Sequence, residues 1–183
     1  MRYVALAAMM LLTGCASLSK EECLTGDWFA IGQQDGKSGR VGDLQYDRHI
    51  VACERVDVIP DRNAWAQGHA AGLQQYCTPL SGLKEGEAGR NYRDVCPASS
   101  EAGFLRGYDL GLAAYRQRQR ISEIEREIRD LTQRNAALTG QEEGRAEMQA
   151  NQTQLLSARL DLSRARAALS RIEREIRAFR AAQ

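Results

Sequence analysis

The chain has 183 residues, with 25 basic and 24 acidic side chains and a net charge of +1. That balance excludes the concentrated positive field that nucleic-acid binding requires. Hydrophobic residues make up 43% and charged residues 27%, which suits one small water-exposed domain plus an extension rather than a membrane-embedded chain.

Met1 and Arg2 precede an apolar run from Tyr3 to Leu12, which ends in Leu12-Thr13-Gly14-Cys15. A positive start, a short apolar core and a small-residue cleavage site predict a secretory signal peptide over residues 1–14. The core falls well short of the roughly 20 residues that a membrane-spanning helix needs. The Leu-Thr-Gly-Cys quartet resembles the lipobox of bacterial lipoproteins. Thr13 and Gly14 let a peptidase approach the bond, and the Cys15 thiol accepts a diacylglyceryl group. The resemblance implies lipidation at Cys15 by several acyl chains such as palmitate, and two or more chains anchor stably where one does not. Ala16 stands in place of the aspartate that retains enteric lipoproteins at the inner membrane, which implies the outer membrane, facing the periplasm. Residues 15–22 are then the lipidated N-terminus and a linker. The alternative is a secreted protein in which Cys15 merely follows the cleavage site.

Four further cysteines remain: Cys23, Cys53, Cys77 and Cys96. An even number in an exported chain predicts two disulfides, with three possible connectivities. Sequential pairing, Cys23–Cys53 and Cys77–Cys96, closes the shortest loops and is the expected arrangement. Each bond would stabilise a small domain by roughly 3 kcal/mol through its unfolded state.

Between Cys23 and Tyr115 a unit recurs in which an aromatic precedes glycines four apart. It reads Trp28-x3-Gly32-x3-Gly36, then Trp65-x2-Gly68-x3-Gly72-x3-Tyr76, then Phe104-x2-Gly107-x3-Gly111-x3-Tyr115, with a looser Gly82-x3-Gly86-x2-Gly89-x2-Tyr92. Residues four apart share a helix face, and helix-interior glycine costs about 1 kcal/mol against alanine, so paired glycines predict close helix packing. A groove for a ligand, faced by Trp28, Gly32, Gly36, Trp65, Gly68, Gly72 and Tyr76, is the alternative. Ser19 with Glu21 and Glu22 predicts a short first helix, and Asp27 to Gly36 a second. A third is expected over Leu44 to Glu54, with Leu44, Asp47 or Arg48, and Val51 on one face. Pro60-Asp61 launches a helix to Tyr76. Thr78 to Asn91, with Pro79 and three glycines, is expected to be mostly loop, and Pro97 leads into the next helix. No period-two strand is evident.

From Arg116 onward the chain carries fourteen arginines, ten acidic residues and no lysine. Ile121, Ile124, Ile128, Leu131, Asn135 and Leu138 alternate steps of three and four, the seam of paired helices. After Gly140 to Gly144 the pattern resumes as Met148, Leu155, Leu162, Leu169 and Ile176, with Asn151, Ala158, Ala165, Ile172 and Phe179 at the other core position. The fold class expected is therefore mostly α: a disulfide-stapled helical domain over residues 23–115, followed by an antiparallel coiled-coil hairpin over 116–183. The second arm is long enough to fold back onto the helix holding Phe104 to Tyr115. One long helix dimerising with a second chain is the alternative.

Candidates for chemistry are few. His49-x3-Cys53 places two ligand types on one helix face, but a zinc site needs about four ligands and reduced thiolates. Asp57, Asp61 and Asn63 lack the spacing and central glycine of a calcium loop. There is no Gly-x-Ser-x-Gly elbow and no phosphate-cradling Gly-Lys-Ser/Thr. No cofactor, metal or catalytic residue is expected; an enzyme would need His49 or His69 beside a carboxylate within a cleft.

The stretches Cys23-Leu-Thr-Gly-Asp-Trp28, Ile31-Gly-Gln-Gln-Asp-Gly36, Trp65-Ala-Gln-Gly-His-Ala-Ala-Gly-Leu-Gln-Gln-Tyr-Cys77 and Tyr92-Arg-Asp-Val-Cys-Pro97 carry a resemblance. Together, the segment from Cys23 to Tyr115 resembles the bacterial domain-of-unknown-function family numbered 2799, made of small envelope lipoproteins. His69 stands where many relatives carry an arginine. The resemblance implies location and architecture, supplies no activity, and leaves out the C-terminal segment. The function expected is a non-enzymatic envelope lipoprotein. Its lipid binds the membrane, and its coiled coil binds a protein partner or another copy. The alternative is a module that binds a small ligand or cell-wall fragment.

Overall fold

The computed structural model describes residues 17–140 and 142–183, so the expected signal peptide and Cys15 lie outside the described residues. Ser19 opens α1 (Lys20–Thr25) with a capping box. Its hydroxyl accepts from the Glu22 N–H, and the Glu22 carboxylate accepts from the Ser19 N–H, satisfying two donors that a helix start leaves orphaned. The Asp27 side chain caps α2 (Trp28–Lys37). Then α3 (Gly42–Cys53) runs into a 3₁₀ turn at Glu54–Val56. Asp61 caps α4 (Arg62–Tyr76), Thr78 caps α5 (Pro79–Glu87), and two long helices follow, α6 (Ala98–Leu138) and α7 (Arg145–Ala181). The fold is mostly helical, and no strand occurs among the described residues.

One sequence expectation needs correction. Thr78 to Asn91 is not mostly loop, because α5 occupies its centre. Pro79 sits at the first helical position, where its missing N–H costs nothing, and Gly82 and Gly86 are packing positions rather than breaks. The Leu44, Arg48 and Val51 face of α3 is the outward one, while Gln45, Tyr46, His49, Ala52 and Cys53 are buried.

The glycines explain the architecture. A methyl group on Gly32 would lie 2.0 Å from the Trp65 carbonyl oxygen, and one on Gly36 would lie 2.1 Å from that of His69. From the other side, Gly68 faces the Phe29 carbonyl and Gly72 that of Gln33 at comparable distances. The contacts advance together along both helices, so α2 and α4 run parallel with their backbones touching. The α5/α6 pair repeats the arrangement: Gly82 and Gly86 meet Phe104 and Tyr108, and Gly107 and Gly111 meet Pro79 and Leu83. One disulfide accompanies each pair, Cys23–Cys53 with the first and Cys77–Cys96 with the second. The domain is thus two copies of one unit in tandem.

Each unit has its own apolar cluster. The first gathers Leu18, Cys23, Trp28, Tyr46, Ala52, Cys53 and Trp65. The second gathers Leu73, Tyr76, Cys77, Cys96 and Phe104. Leu18 is only 6% exposed, and the Arg55 guanidinium donates to its carbonyl at 2.5 Å. Residues 17–22, expected as linker, are therefore part of the packed unit.

α6 runs unbroken through the change of composition near residue 115. α7 packs along it, with Arg166 bonded to Glu125 at 2.8 Å, Gln117 donating to the Ala165 carbonyl at 3.1 Å, and Arg118 3.8 Å from Glu173. The end of α7 completes the domain. Ile176 is buried with Leu83 and Ala114, flanked by Leu110, Leu169, Ile172 and Phe179, and Arg180 bonds Glu87 at 2.8 Å.

Candidate functional site

Polar side chains converge inside the first unit. The last turn of α2 carries Asp35, the inner face of α3 carries Gln45 and His49, and α4 carries Trp65. The His49 Nε2 lies 2.7 Å from Asp35 Oδ2, and the Trp65 indole N–H donates to the same oxygen at 3.0 Å. The Ser17 Oγ lies 2.9 Å from His49 Nδ1 and 2.9 Å from the Arg48 carbonyl oxygen. Gln45 Nε2 is 3.5 Å from His49 Nε2. A hydroxyl, an imidazole and a carboxylate thus stand in series, yet His49 is 1% exposed and sits among the core side chains rather than in a cleft. What this chain of bonds does is hold: it ties the N-terminal segment, α2, α3 and α4 to one another. Buried polar networks of this kind are worth most when every member is satisfied.

His69 is also buried. Its Nε2 donates to the Arg40 carbonyl at 2.8 Å, and its ring stacks on Trp65 with centroids 4.9 Å apart. Cys53 is in a disulfide, so the His49-x3-Cys53 pair holds no thiolate ligand. No cluster of three His, Cys, Asp or Glu able to hold a metal occurs among the described residues.

Of the residues expected to face a ligand, Gly32, Gly36, Gly68 and Gly72 are filled by the partner helix's backbone, which leaves no groove between them. Trp28 and Trp65 belong to the first core. Tyr76 is different: its ring lies against Gly39, and its hydroxyl-bearing edge reaches an open cleft.

Sequence reasoning missed Ser17 and the arginines that close each seam, and it reads Asp35, with Asp27, Asp43 and Asp47, as an ordinary surface carboxylate, whereas Asp35 bonds His49 inside the unit. A signal for the arginines was present. Gly36-Lys-Ser-Gly39-Arg40 and Gly86-Glu-Ala-Gly89-Arg90 are the same turn at the end of α2 and of α5. In each, the second glycine has a positive φ, +61° and +66°, and an aromatic ring rests on it, Tyr76 on Gly39 and Tyr115 on Gly89. A side chain there would be strained in backbone and would strike the ring. The arginine carbonyls are taken equivalently, by His69 in the first unit and by the Tyr108 hydroxyl at 2.9 Å in the second.

The fold and these contacts define a class: an all-helical, disulfide-stapled tandem repeat whose helix pairs are joined backbone to backbone by glycine. Residues 27–113, from the cap of α2 into the second repeat, match the model of the family described as "Protein of unknown function (DUF2799)". No curated protein and no solved structure matches the chain.

Proposed function

We propose that the protein is a non-enzymatic lipoprotein of the bacterial envelope, held through Cys15 at the outer membrane and facing the periplasm. In this reading α6 and α7 form an antiparallel coiled-coil hairpin that meets a protein partner or a second copy. The observation that carries the interaction role is the division of labour along the arm. Its base, around Ile172, Ile176 and Phe179, is built into the domain core. Its distal half buries Ile124, Ala158, Ala165 and their neighbours only against itself. An extension the domain does not need for its own core is suited to reach outward, and α6, at 41 residues, is about 60 Å long. The anchor reading gains from Ser17: two residues from Cys15 span about 7 Å, so a lipid there would hold the first unit at the membrane surface.

Two experiments test the two parts. Cys15→Ser should move the protein from the membrane fraction to the soluble fraction; retention in the membrane would overturn the anchor. Replacing residues 128–158 by a short glycine turn shortens the arm without touching its base. Envelope crosslinking should then lose its captured partners while both disulfides persist; an unchanged set of partners would overturn the role of the arm.

A further inference from the structure

The two repeats differ in how they use the carboxylate of their shared turn, and the difference leaves free charge beside a cleft. In the second unit Arg90 binds the carboxylate five residues before it, donating from Nε to Glu85 at 2.6 Å and from the terminal nitrogen at 2.8 Å. The equivalent carboxylate in the first unit, Asp35, is turned inward to His49 and Trp65. Arg40, the equivalent of Arg90, is left exposed, and its side chain has no hydrogen-bond or ion-pair partner among the described residues. Arg93, on the loop after α5, is exposed and without a partner as well.

These residues meet at the junction of the repeats. A cleft of about 500 Å³ is lined by Gly39, Arg40, Tyr76, Arg90, Asn91 and Arg93 among others. Tyr76 is 9% exposed, and its hydroxyl, like that of Tyr115 on Gly89, has no hydrogen-bond partner among the described residues, whereas the hydroxyls of Tyr46, Tyr92 and Tyr108 have one. A phenol without a protein partner at the wall of a cleft has its donor free for a ligand. The loop that presents Arg90, Asn91 and Arg93 is firmly held. Tyr108 donates to the Arg90 carbonyl, the Cys96 N–H donates to the Tyr92 hydroxyl at 3.0 Å, Tyr92 donates to Glu101 at 2.9 Å, and Cys77–Cys96 closes the end. Three arginines against Glu85 leave the cleft positive.

We propose that this cleft binds a small oxyanion, a carboxylate or phosphate group, through the guanidinium forks of Arg40 and Arg93 with the Tyr76 hydroxyl as a further donor. Arginine forks match the planar geometry of carboxylate and the oxygens of phosphate. A loop held in place before binding loses little entropy on binding. The Arg90–Glu85 pair forms one wall and limits the charge the site accepts. The proposal rests on neither the lipid nor the arm.

The test is titration of the intact, oxidised protein with inorganic phosphate and with succinate, followed by the NMR shifts of the Tyr76 ring and the Arg40 and Arg93 side chains. Saturable shifts confined to these residues are expected, with affinity falling as salt rises. Tyr76→Phe keeps the ring on Gly39 and removes only the hydroxyl; it should weaken binding about tenfold, the loss of one hydrogen bond to a charged group. Arg40→Ala with Arg93→Ala should abolish saturable binding, whereas Arg129→Ala on the arm should leave it unchanged. Neither anion giving saturable shifts would overturn the proposal. So would binding that survives the double arginine variant.

Discussion

At single residues the structure separates glycines that look alike in sequence. Gly68 has no room for a methyl group, which would sit 2.0 Å from the Phe29 carbonyl oxygen. Gly103, also inside a helix, would place it 3.5 Å from Pro79 Cγ, an ordinary contact. Gly68→Ala should therefore lower the unfolding free energy measured in urea by about 1–3 kcal/mol, because two backbones must separate. Gly103→Ala should raise it by about 0.5–1 kcal/mol through helix propensity and a less free unfolded chain. Equal effects at the two sites would contradict the seam. Tyr76 supplies a pH test. Burial, and then the charge of Glu85, push its hydroxyl up from 10.0 to about 12. The fold therefore favours the neutral phenol, so this contribution is intact below pH 10 and is lost as pH rises from 10 through 12. Urea midpoints across that range should fall, and less steeply in Tyr76→Phe.

At the scale of elements, the long helices carry two amides where the rest of their seam is apolar. Asn135 Oδ1 and Asn151 Nδ2 are buried without a hydrogen-bond partner among the described residues. An unmet buried polar group costs about 1–3 kcal/mol, and a polar residue at such a core position can specify register at the expense of stability. Asn135→Leu with Asn151→Leu should raise the thermal midpoint measured by circular dichroism; a lower midpoint would mean the amides are satisfied in solution. The short helices show how much was legible. The caps Ser19, Asp27 and Asp61 stand at helix starts as their types predict. α5 was hidden because its glycines read as breaks when considered alone. They make sense only against α6, which supplies the backbone they pack on, and no local pattern specifies that partner.

Across the whole molecule, the last residues of the chain help fold its middle. Ile176 covers Leu83 and Ala114, which are 1% and 0% exposed. Truncation after Ala165 should uncover them and destabilise α5 and the start of α6, far from the cut in sequence. Hydrogen exchange should show faster amides over residues 79–115 while α2 to α4 keep their protection. Uniform protection after truncation would mean the domain closes without α7.

The sequence by itself determined the helical class, the two disulfides, the caps and the apolar seams of α6 and α7. Each follows from local chemistry or from a period along one chain. Only the tertiary structure decided that the glycines form two parallel backbone-to-backbone pairs, and that Asp35 turns inward while Glu85 turns to its arginine. Both depend on which helix lies opposite. The same turn, ending in Gly39-Arg40 and Gly89-Arg90, is written twice in the chain. His49 and Trp65 draw the carboxylate away in the first copy, and no such pair takes it in the second. Packing across the junction then brings Arg40, Tyr76 and Arg93 to one cleft.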